Sequence, residues 1–243
     1  MIQPSDLRVM IGMPAYKDIP WQTSMSLLRT VQECRSADMH VQVSVCSGSA
    51  VIQAARSDVL HAFLRSDCNR LFWIDSDMEW TAHDFGMLLA LSAYPGMDVV
   101  GCTYPAKRDE LTYFVKCDDM AIPINDRGCL KVDGMGLGFT VMTREAVEAV
   151  ANTKPWALDE VSGDFVREVF RCDTVPLNRL GEEGKCPPEL VGQPIYGRRG
   201  EDMAFFADLR DLGYTVWLYP NIQLGHIGTK TYRGDLMKAM GLT

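Results

Sequence analysis

The segment Arg70-Leu71-Phe72-Trp73-Ile74-Asp75-Ser76-Asp77 decides the fold class, because a run of apolar residues ends abruptly in two acidic ones. A short apolar run that is rich in aromatic and branched residues predicts a strand buried on both faces. Strands of this kind belong to parallel sheets whose faces are covered by helices. We therefore expect an α/β protein in which Asp75 and Asp77 lie at the end of a central strand.

Strand and helix patterns alternate on both sides of this segment. Short apolar runs predict the strands of the first half, at residues 8–14, 41–46, 70–74 and 98–103. Helical spacing of apolar residues predicts the helices between them, at residues 22–37, 51–65 and 81–93. We therefore expect a parallel sheet over the first hundred residues, covered on both faces, with ligands bound beyond the carboxyl ends of its strands.

The second half has a less regular pattern. Short strands are predicted at residues 111–117, 129–132, 139–142, 214–219 and 222–226. Helices are predicted from the N-cap Thr143 through Val150 and over residues 201–212. Residues 155–199 contain five of the twelve prolines, so we expect long loops shaped around a ligand there. No stretch of the sequence has the composition of a linker, and we expect a single domain over residues 1–243.

Composition and charge exclude several classes of protein. The 243 residues are 47% hydrophobic and 23% charged, which is ordinary for a globular chain and excludes collagen-like, disordered and coiled-coil proteins. The 24 basic residues are outnumbered by 32 acidic ones, and the net charge of −8 disfavours a broad nucleic-acid-binding surface. A local basic patch is still compatible with this balance.

Signals for membranes and secretion are not found in the sequence. The most apolar stretch, residues 85–97, is shorter than the about 20 residues that a membrane span needs. The first six residues do not have the cationic start of a signal peptide. The eight cysteines form no Cys-x-x-Cys pair. We therefore expect reduced thiols in a cytoplasmic protein without integral membrane association.

Asp75 and Asp77 form the first candidate site. Carboxylate oxygens are the ligands that Mg²⁺ and Mn²⁺ prefer, and these ions keep positions open for water and phosphate oxygens. A bound divalent ion would be a strong electrostatic partner for a diphosphate. The alternative interpretation is that both residues are solvated turn residues and that Asp77 caps the next helix.

Three further positions carry candidate chemistry. Gly200-Glu201-Asp202 begins an amphipathic helix, where an acidic residue either caps the helix or takes a proton from an attacking hydroxyl. His226 lies between glycines after an apolar strand, where it is either structural or a metal ligand. Lys230 follows in a polar tail, which is either a solvated surface or a loop that folds over a pyrophosphate.

Taken together, these motifs resemble those of the GT-A fold glycosyltransferases, and especially the family 2-like group, over nearly the whole chain. The segments that carry the resemblance are Pro14-Ala15-Tyr16, Ala55-Arg56-Ser57, Phe72 to Asp77, Gly134 to Arg144 and Gly200-Glu201-Asp202. His226 lies where several of these enzymes place a third metal ligand. Ser57 departs from the asparagine that is commoner in the family.

This resemblance implies a Rossmann-like GT-A fold. A central, mostly parallel sheet would be flanked by helices and accompanied by a small second antiparallel sheet. Residues 1–104 would form the nucleotide-binding half, residues 105–228 the acceptor and catalytic half, and residues 229–243 a tail or lid.

The resemblance also implies roles for individual residues. The metal ligands for Mn²⁺ or Mg²⁺ would be Asp77, Asp75 and His226. The donor-binding residues would be Pro14, Ala15, Tyr16, Arg56, Asp75, Ser76, Gly136 and Lys230, with Tyr16 stacking on the base. Arg198 and Arg199 would join Lys230 on mobile loops over the diphosphate. Asp202 would deprotonate the acceptor hydroxyl, and Glu201 is the neighbouring candidate for this role.

The implied activity is transfer of a sugar from a nucleotide-sugar donor, expected to be a UDP-sugar, to an acceptor hydroxyl. Asp202 favours inversion at the anomeric carbon, although retention stays open. The acceptor site, expected in loops at residues 107–127 and 155–199, leaves glycans, proteins and modified nucleobases open. The oligomeric state is open too.

Two alternative functions are compatible with the same motifs. A nucleotidyltransferase that makes nucleotide sugars would carry a glycine-rich basic loop after the first strand, where this chain has Met13-Pro14-Ala15-Tyr16-Lys17. A catalytically inactive GT-A binding module would be expected to have lost its acidic residues, whereas Asp75, Asp77 and Asp202 are present.

Overall fold

Strands and helices alternate along the first half of the chain, as the sequence predicts. The computed structural model describes residues 3–117, 122–159 and 163–241. Its strands are β1 (Arg8–Ala15), β2 (His40–Ser47), β3 (Arg70–Ile74), β4 (Met78–Glu79), β5 (Val99–Gly101), β6 (Val115–Lys116), β7 (Leu130–Val132), β8 (Gly134–Met135), β9 (Phe139–Thr143), β10 (Trp156–Leu158), β11 (Phe165–Arg167), β12 (Asp173–Leu180), β13 (Pro194–Arg199), β14 (Val216–Leu218), β15 (Gly225–Ile227) and β16 (Thr231–Arg233). Its helices are α1 (Trp21–Ser36), α2 (Ile52–Arg65), α3 (Ala82–Leu91), α4 (Arg144–Asn152), α5 (Glu201–Asp211) and α6 (Leu236–Ala239). The expected loops and tail include residues 118–121, 160–162 and 242–243, which lie outside the described residues.

The central sheet has seven strands in the order β2-β1-β3-β9-β5-β14-β7. β1 pairs in parallel with β2 and β3, and β5 pairs in parallel with β14. β9 runs antiparallel to both β3 and β5, and β7 runs antiparallel to β14. The sheet is therefore mostly parallel, as expected. One detail differs from the prediction, because the connection through α3 leaves a gap between β3 and β5 that β9 of the second half fills.

β3 is buried on both faces, as its apolar run predicts. Leu71 and Trp73 pack in one hydrophobic cluster, together with side chains of α2, α4 and α5. Phe72 and Ile74 pack in a second cluster with side chains of α1 and α3. The Phe72 ring stacks on that of Phe85 in α3, with 4.4 Å between the ring centroids. Because alternate side chains are held in two opposite cores, the residues that follow β3 emerge at a fixed point on the carboxyl edge of the sheet.

The N-cap of α3 tests the interpretation of Asp77 as a helix cap. The Thr81 side chain accepts a hydrogen bond from the backbone N–H of Asp84, and the Asp84 carboxylate accepts one from the backbone N–H of Thr81. This capping box starts α3 without Asp77, so the interpretation of Asp77 as the helix cap was wrong. Thr143 caps α4 by accepting from the N–H of Ala146 at 3.3 Å, as predicted.

Residues 155–199 contain two hairpins where long loops were predicted. β10 pairs with β11, and β12 pairs with β13. Arg199 donates from Nε to Asp173 at 2.7 Å and so ties the two strands of the second hairpin together. The prediction failed because the prolines were interpreted as signals of loops. Pro176 instead lies within β12, whose pairing with β13 shifts register between Pro176 and Leu180. Arg199 therefore lies on a paired strand and not on a mobile loop, and the same holds for Arg198.

A small three-stranded antiparallel sheet, β16-β15-β4, lies at the carboxyl edge of the central sheet. It confirms the expected second sheet and sets His226 opposite Met78. No helix within the described residues is both long and apolar enough to cross a bilayer. No disulfide joins cysteines in the described part of the chain.

Candidate active site

Five segments converge beyond the carboxyl ends of the central strands. They are the residues after β3, the first turn of α5, the loop after β5, one residue of α2 and one residue of β15. Their polar side chains form two groups. The arginine cluster consists of Arg56, Asp75, Tyr104, Glu201 and Asp202. The histidine cluster consists of Asp77, Lys107 and His226.

Arg56 is the centre of the arginine cluster and is only 3% exposed. Its Nη2 donates to Asp75 Oδ1 at 2.9 Å, and its Nε lies 3.5 Å from Glu201 Oε1. Burial by itself lowers the pKa of Arg56, but the charges of Asp75 and Glu201 outweigh burial and raise the pKa, so the guanidinium stays charged. The guanidinium also lies over the Trp73 ring, with 5.6 Å to the centroid.

Two donors of Arg56 have unused hydrogen-bonding capacity. Nε and Nη1 are shielded from solvent, and neither finds a hydrogen-bond acceptor among the described residues. A buried donor without an acceptor costs about 1–3 kcal/mol, so an anionic ligand that supplied acceptor oxygens would recover this free energy. The cluster therefore offers unused buried donors to a ligand, although its carboxyl groups outnumber its one guanidinium.

Tyr104, which sequence reasoning missed, fixes the other side of Asp75. Its Oη donates to Asp75 Oδ2 at 3.2 Å and accepts from the N–H of Gly138 at 3.3 Å. Burial raises the pKa of Tyr104 well above its ordinary value, so the hydroxyl keeps its proton and remains a donor. Since Arg56 and Tyr104 take one oxygen each, both oxygens of Asp75 are occupied within the protein.

The glycine-rich segment makes room for this arrangement. A Cβ at Gly136 would lie 2.7 Å from the Tyr104 Oη, and a Cβ at Gly138 would overlap the Asp75 carboxylate. Gly136, which was expected to face the donor, is buried against Tyr104. Its visible contribution is therefore close packing around the tyrosine hydroxyl.

In the histidine cluster, the orientation of His226 is set by a backbone carbonyl. Nδ1 donates to Pro105 O at 2.9 Å, because a carbonyl oxygen only accepts. In neutral imidazole the lone pair then lies on Nε2, which is 3.5 Å from Asp77 Oδ1. The other oxygen of Asp77 forms an ion pair with the Lys107 ammonium. Burial raises the pKa of Asp77, but the interactions with His226 and Lys107 outweigh burial, and the pKa is lowered overall.

Asp77 and His226 fit a divalent cation, whereas Asp75 is directed elsewhere. A carboxylate and an imidazole whose other nitrogen is held by a carbonyl form a common pair of metal ligands. The ligand atoms of Asp75, Asp77 and His226 do not all lie within 4.8 Å of one another. Two of the three predicted metal ligands are thus brought together, and the third pairs with Arg56 and Tyr104.

Within the described ranges, one group of three metal-ligating side chains has its ligand atoms that close together, His40, Asp67 and Cys68. His40 begins β2 and Cys68 precedes β3, so this group lies at the amino edge of the sheet. It is therefore separate from the candidate active site.

Asp202 is the carboxyl group with the most altered proton affinity in the site. It lies in the first turn of α5, where its Oδ1 accepts from the N–H of Met203 at 2.8 Å. Burial and then the charge of Glu201 raise the pKa of Asp202 to about 6. Glu201 itself is directed to Arg56. The two candidates for the base therefore differ, since Glu201 is engaged in an ion pair and Asp202 has a raised pKa.

The remaining predicted residues lie at the rim or in the scaffold. Pro14 and Ala15 are buried at the end of β1, and Ser76 is half-buried between the two acidic residues. Tyr16 is 59% exposed. Lys230 is exposed and forms an ion pair with Asp109, itself on the loop after β5.

Tyr104 and Lys107 could have been found from their position. Both lie within six residues of the carboxyl end of β5, the edge where a parallel sheet binds ligands. Tyr104 also joins the two clusters, because its hydroxyl contacts Asp75 while its ring packs edge-on against His226, with 4.9 Å between centroids.

Comparisons with known proteins extend only to the fold. No family model matches the chain, and no curated protein matches it in sequence. The solved structure of A197 from STIV aligns with a TM-score of 0.55 and 18% identity, covering 91% of this chain and 86% of that one. This alignment shows a shared fold.

Two further structures align less well. GalNAc-T7, solved with UDP, GalNAc and Mn²⁺, aligns with a TM-score of 0.49 and 12% identity, covering 93% of this chain and 44% of that one. Apo UDP-glucose pyrophosphorylase aligns with a TM-score of 0.42 and 11% identity, covering 98% of this chain and 79% of that one. At TM-scores below 0.5, these two alignments do not establish a relationship.

Proposed function

We propose that the chain is a metal-dependent glycosyltransferase that moves a sugar from a nucleotide-sugar donor, a UDP-sugar, to an acceptor hydroxyl. The observation that carries the proposal is the juxtaposition of the two clusters at one edge of the sheet. One holds a carboxyl group with a raised pKa beside a buried guanidinium, and the other holds the Asp77 and His226 ligand pair. Transfer of a sugar from a diphosphate needs a base, a site for an anion and a cation.

Asp77 and His226 would hold Mn²⁺ or Mg²⁺, which when bound supplies positive charge to the leaving diphosphate. Arg56 supplies a second, permanent positive charge, and its Nη1, which has no hydrogen-bond partner among the described residues, is available to an anion. Asp75 orients Arg56 from one carboxylate oxygen and is itself held by Tyr104 through the other. We therefore assign Asp75 to positioning Arg56 and not to the metal.

Asp202 is the proposed base. With a pKa of about 6, it is about 90% ionised at pH 7 and still basic enough to accept a proton from an acceptor hydroxyl as the bond to the sugar forms. Its place in the first turn of a helix keeps the carboxylate on a rigid element. Attack assisted by a base on the face opposite the leaving group gives inversion at the anomeric carbon.

Donor recognition would take place at the end of β1 and at the rim. The exposed ring of Tyr16 offers an apolar face on which a nucleobase can stack, next to Pro14 and Ala15. Ser76 and Lys230 would supply polar groups that bind the donor. The acceptor is unassigned, and a single cytoplasmic domain stays a prediction from sequence.

The donor and the metal are tested together by calorimetry. A thermal-shift screen of UDP-, GDP- and dTDP-sugars, with and without Mn²⁺, first identifies the nucleotide that stabilises the protein. Titration of UDP is then expected to give an affinity at least about tenfold higher with Mn²⁺ than without it, a difference of about 1.4 kcal/mol. Asp77→Asn should abolish this difference.

Asp211→Asn is the matched control, because Asp211 is exposed at the far end of α5. It should retain the Mn²⁺-dependent gain. Equal UDP affinities with and without Mn²⁺ in the unmodified protein would contradict the metal role of Asp77 and His226.

A further inference from the structure

We propose that Lys107 is a built-in counter-ion of Asp77 that competes through its charge with a divalent cation, and that the ammonium repelled by the bound cation then serves the diphosphate of the donor. The inference rests on the proposed function and deepens it, since it adds a residue that couples metal binding to donor binding.

Both carboxylate oxygens of Asp77 face another side chain in the structure. One carboxylate oxygen is paired with the Lys107 ammonium, and the other lies 3.5 Å from His226 Nε2. The ammonium therefore neutralises the carboxylate on which a divalent cation would bind, from the oxygen that does not lie against His226. The Lys107 and Asp77 side chains are 36% and 32% exposed, so water and ions have access to the pair.

Packing holds Lys107 beside Asp77 and the His226 segment. A Cβ at Gly228 would lie 3.1 Å from Cδ of Lys107, so the lysine stem runs closely along the backbone that follows β15. The same two segments meet where Pro105 O accepts from His226 and where Asp109 pairs with Lys230. Lys107 thus belongs to a loop that is fastened to the His226 segment at several points, and it stays near when it leaves Asp77.

The charges around Asp77 change when a divalent cation binds. The Asp77 and Lys107 pair sums to zero, whereas a divalent ion on Asp77 leaves a local charge of +1. An ammonium beside that charge is repelled, so Lys107 and the metal compete for Asp77. A diphosphate bound to the metal brings negative charge back, and the displaced ammonium has an anionic partner again. Lys107 should therefore weaken binding of the metal alone and strengthen binding of the nucleotide in its presence.

Because Lys107 is expected to change the Mn²⁺ affinity and the nucleotide affinity in opposite directions, binding measurements alone test the inference. Mn²⁺ affinity is measured without nucleotide from the electron paramagnetic resonance signal of free Mn²⁺, and UDP affinity is measured by calorimetry at saturating Mn²⁺. Lys107→Met keeps an apolar stem and removes the charge. It should raise the Mn²⁺ affinity about threefold to fivefold and lower the UDP affinity by a similar factor, as expected for a partly exposed ion pair.

Arg108→Met is the matched control, because it removes the same charge from the next residue of the loop, which is also exposed. It should change neither affinity in this pattern. An unchanged or lower Mn²⁺ affinity in Lys107→Met, or the same pair of changes in Arg108→Met, would overturn the inference while leaving the proposed function in place. If neither the unmodified protein nor Lys107→Met binds Mn²⁺, the proposed metal site itself fails.

Discussion

The arginine and histidine clusters hold opposite charges next to each other in two different ways. In the arginine cluster the Arg56 and Asp75 side chains are 4% and 23% exposed, and Arg56 and Tyr104 each hold one oxygen of Asp75. In the histidine cluster both partners of the Asp77 and Lys107 pair are about one-third exposed. A buried pair is costly to separate, because removal of one partner strands a charge away from water. A partly exposed pair is exchanged at little cost.

The difference suggests a division of labour within one site. The buried arginine cluster is preorganised, with a guanidinium held by carboxylates and a carboxyl group of raised pKa. Under the proposed function, the more exposed histidine cluster is the part that would accept and release a cation. Chemistry in such a site needs fixed groups near the reacting atoms, while binding of a soluble cofactor needs exchangeable ones.

The largest expected effect is the loss of rate on replacing Asp202, because the proposed function places proton transfer on this residue of the arginine cluster. Asp202→Asn should lower the rate of UDP release from the UDP-sugar about 10²- to 10⁴-fold, the usual contribution of a general base. UDP affinity in the presence of Mn²⁺ should change little, since the histidine cluster is intact. The measurement is steady-state UDP release together with calorimetry.

The same residue predicts the pH dependence of the reaction. Only the ionised form of Asp202 accepts a proton, and its pKa is raised to about 6. The rate should therefore fall about tenfold per pH unit below pH 6 and level off above it. A near-normal rate in Asp202→Asn would move the base to Glu201 and weaken the distinction between the clusters.

The next effect compares stability directly. Asp75→Asn leaves Arg56 without its closest carboxylate and should lower the free energy of unfolding by about 3 kcal/mol. Asp77→Asn, the corresponding change in the exposed cluster, should cost less than about 1 kcal/mol. Urea unfolding followed by circular dichroism measures both. Equal losses would show that the two pairs do not differ in the way proposed.

The central sheet could be predicted from sequence because its signals are local. The apolar run before Asp75 needs no distant partner to be interpreted as a buried strand, and the structure confirms its bounds at Arg70–Ile74. The insertion of β9 between β3 and β5 was not predictable in this way, since it depends on pairing between residues about seventy positions apart.

The candidate site shows the same limit. Sequence spacing indicated that Asp75 and Asp77 would act together, but the direction of each carboxylate is set by side chains from other segments. Arg56 on α2 and Tyr104 after β5 hold Asp75, while Lys107 and His226 hold Asp77. Propensity and spacing carry no information about such contacts, and so one acidic motif was predicted where two separate clusters exist.

A smaller effect than that of Asp75→Asn tests whether Tyr104 merely contacts both clusters or also couples them. Tyr104→Phe removes the hydroxyl that serves Asp75 and the Gly138 N–H but keeps the ring against His226. It should cost about 1–2 kcal/mol in the free energy of unfolding, because a buried N–H loses its acceptor. Mn²⁺ affinity should stay as it is, because the ring contact is unchanged.

Tyr113→Phe is a suitable control for this change. The Tyr113 hydroxyl is buried and finds no hydrogen-bond partner within the described ranges, so its removal should not lower stability and should raise it by up to about 1–3 kcal/mol. The comparison isolates the bonded hydroxyl from the general effect of deleting a buried oxygen. If Tyr104→Phe also shifted the Mn²⁺ affinity, the hydroxyl would transmit the state of the arginine cluster to Asp77. The two clusters would then have to be treated as one cooperative unit.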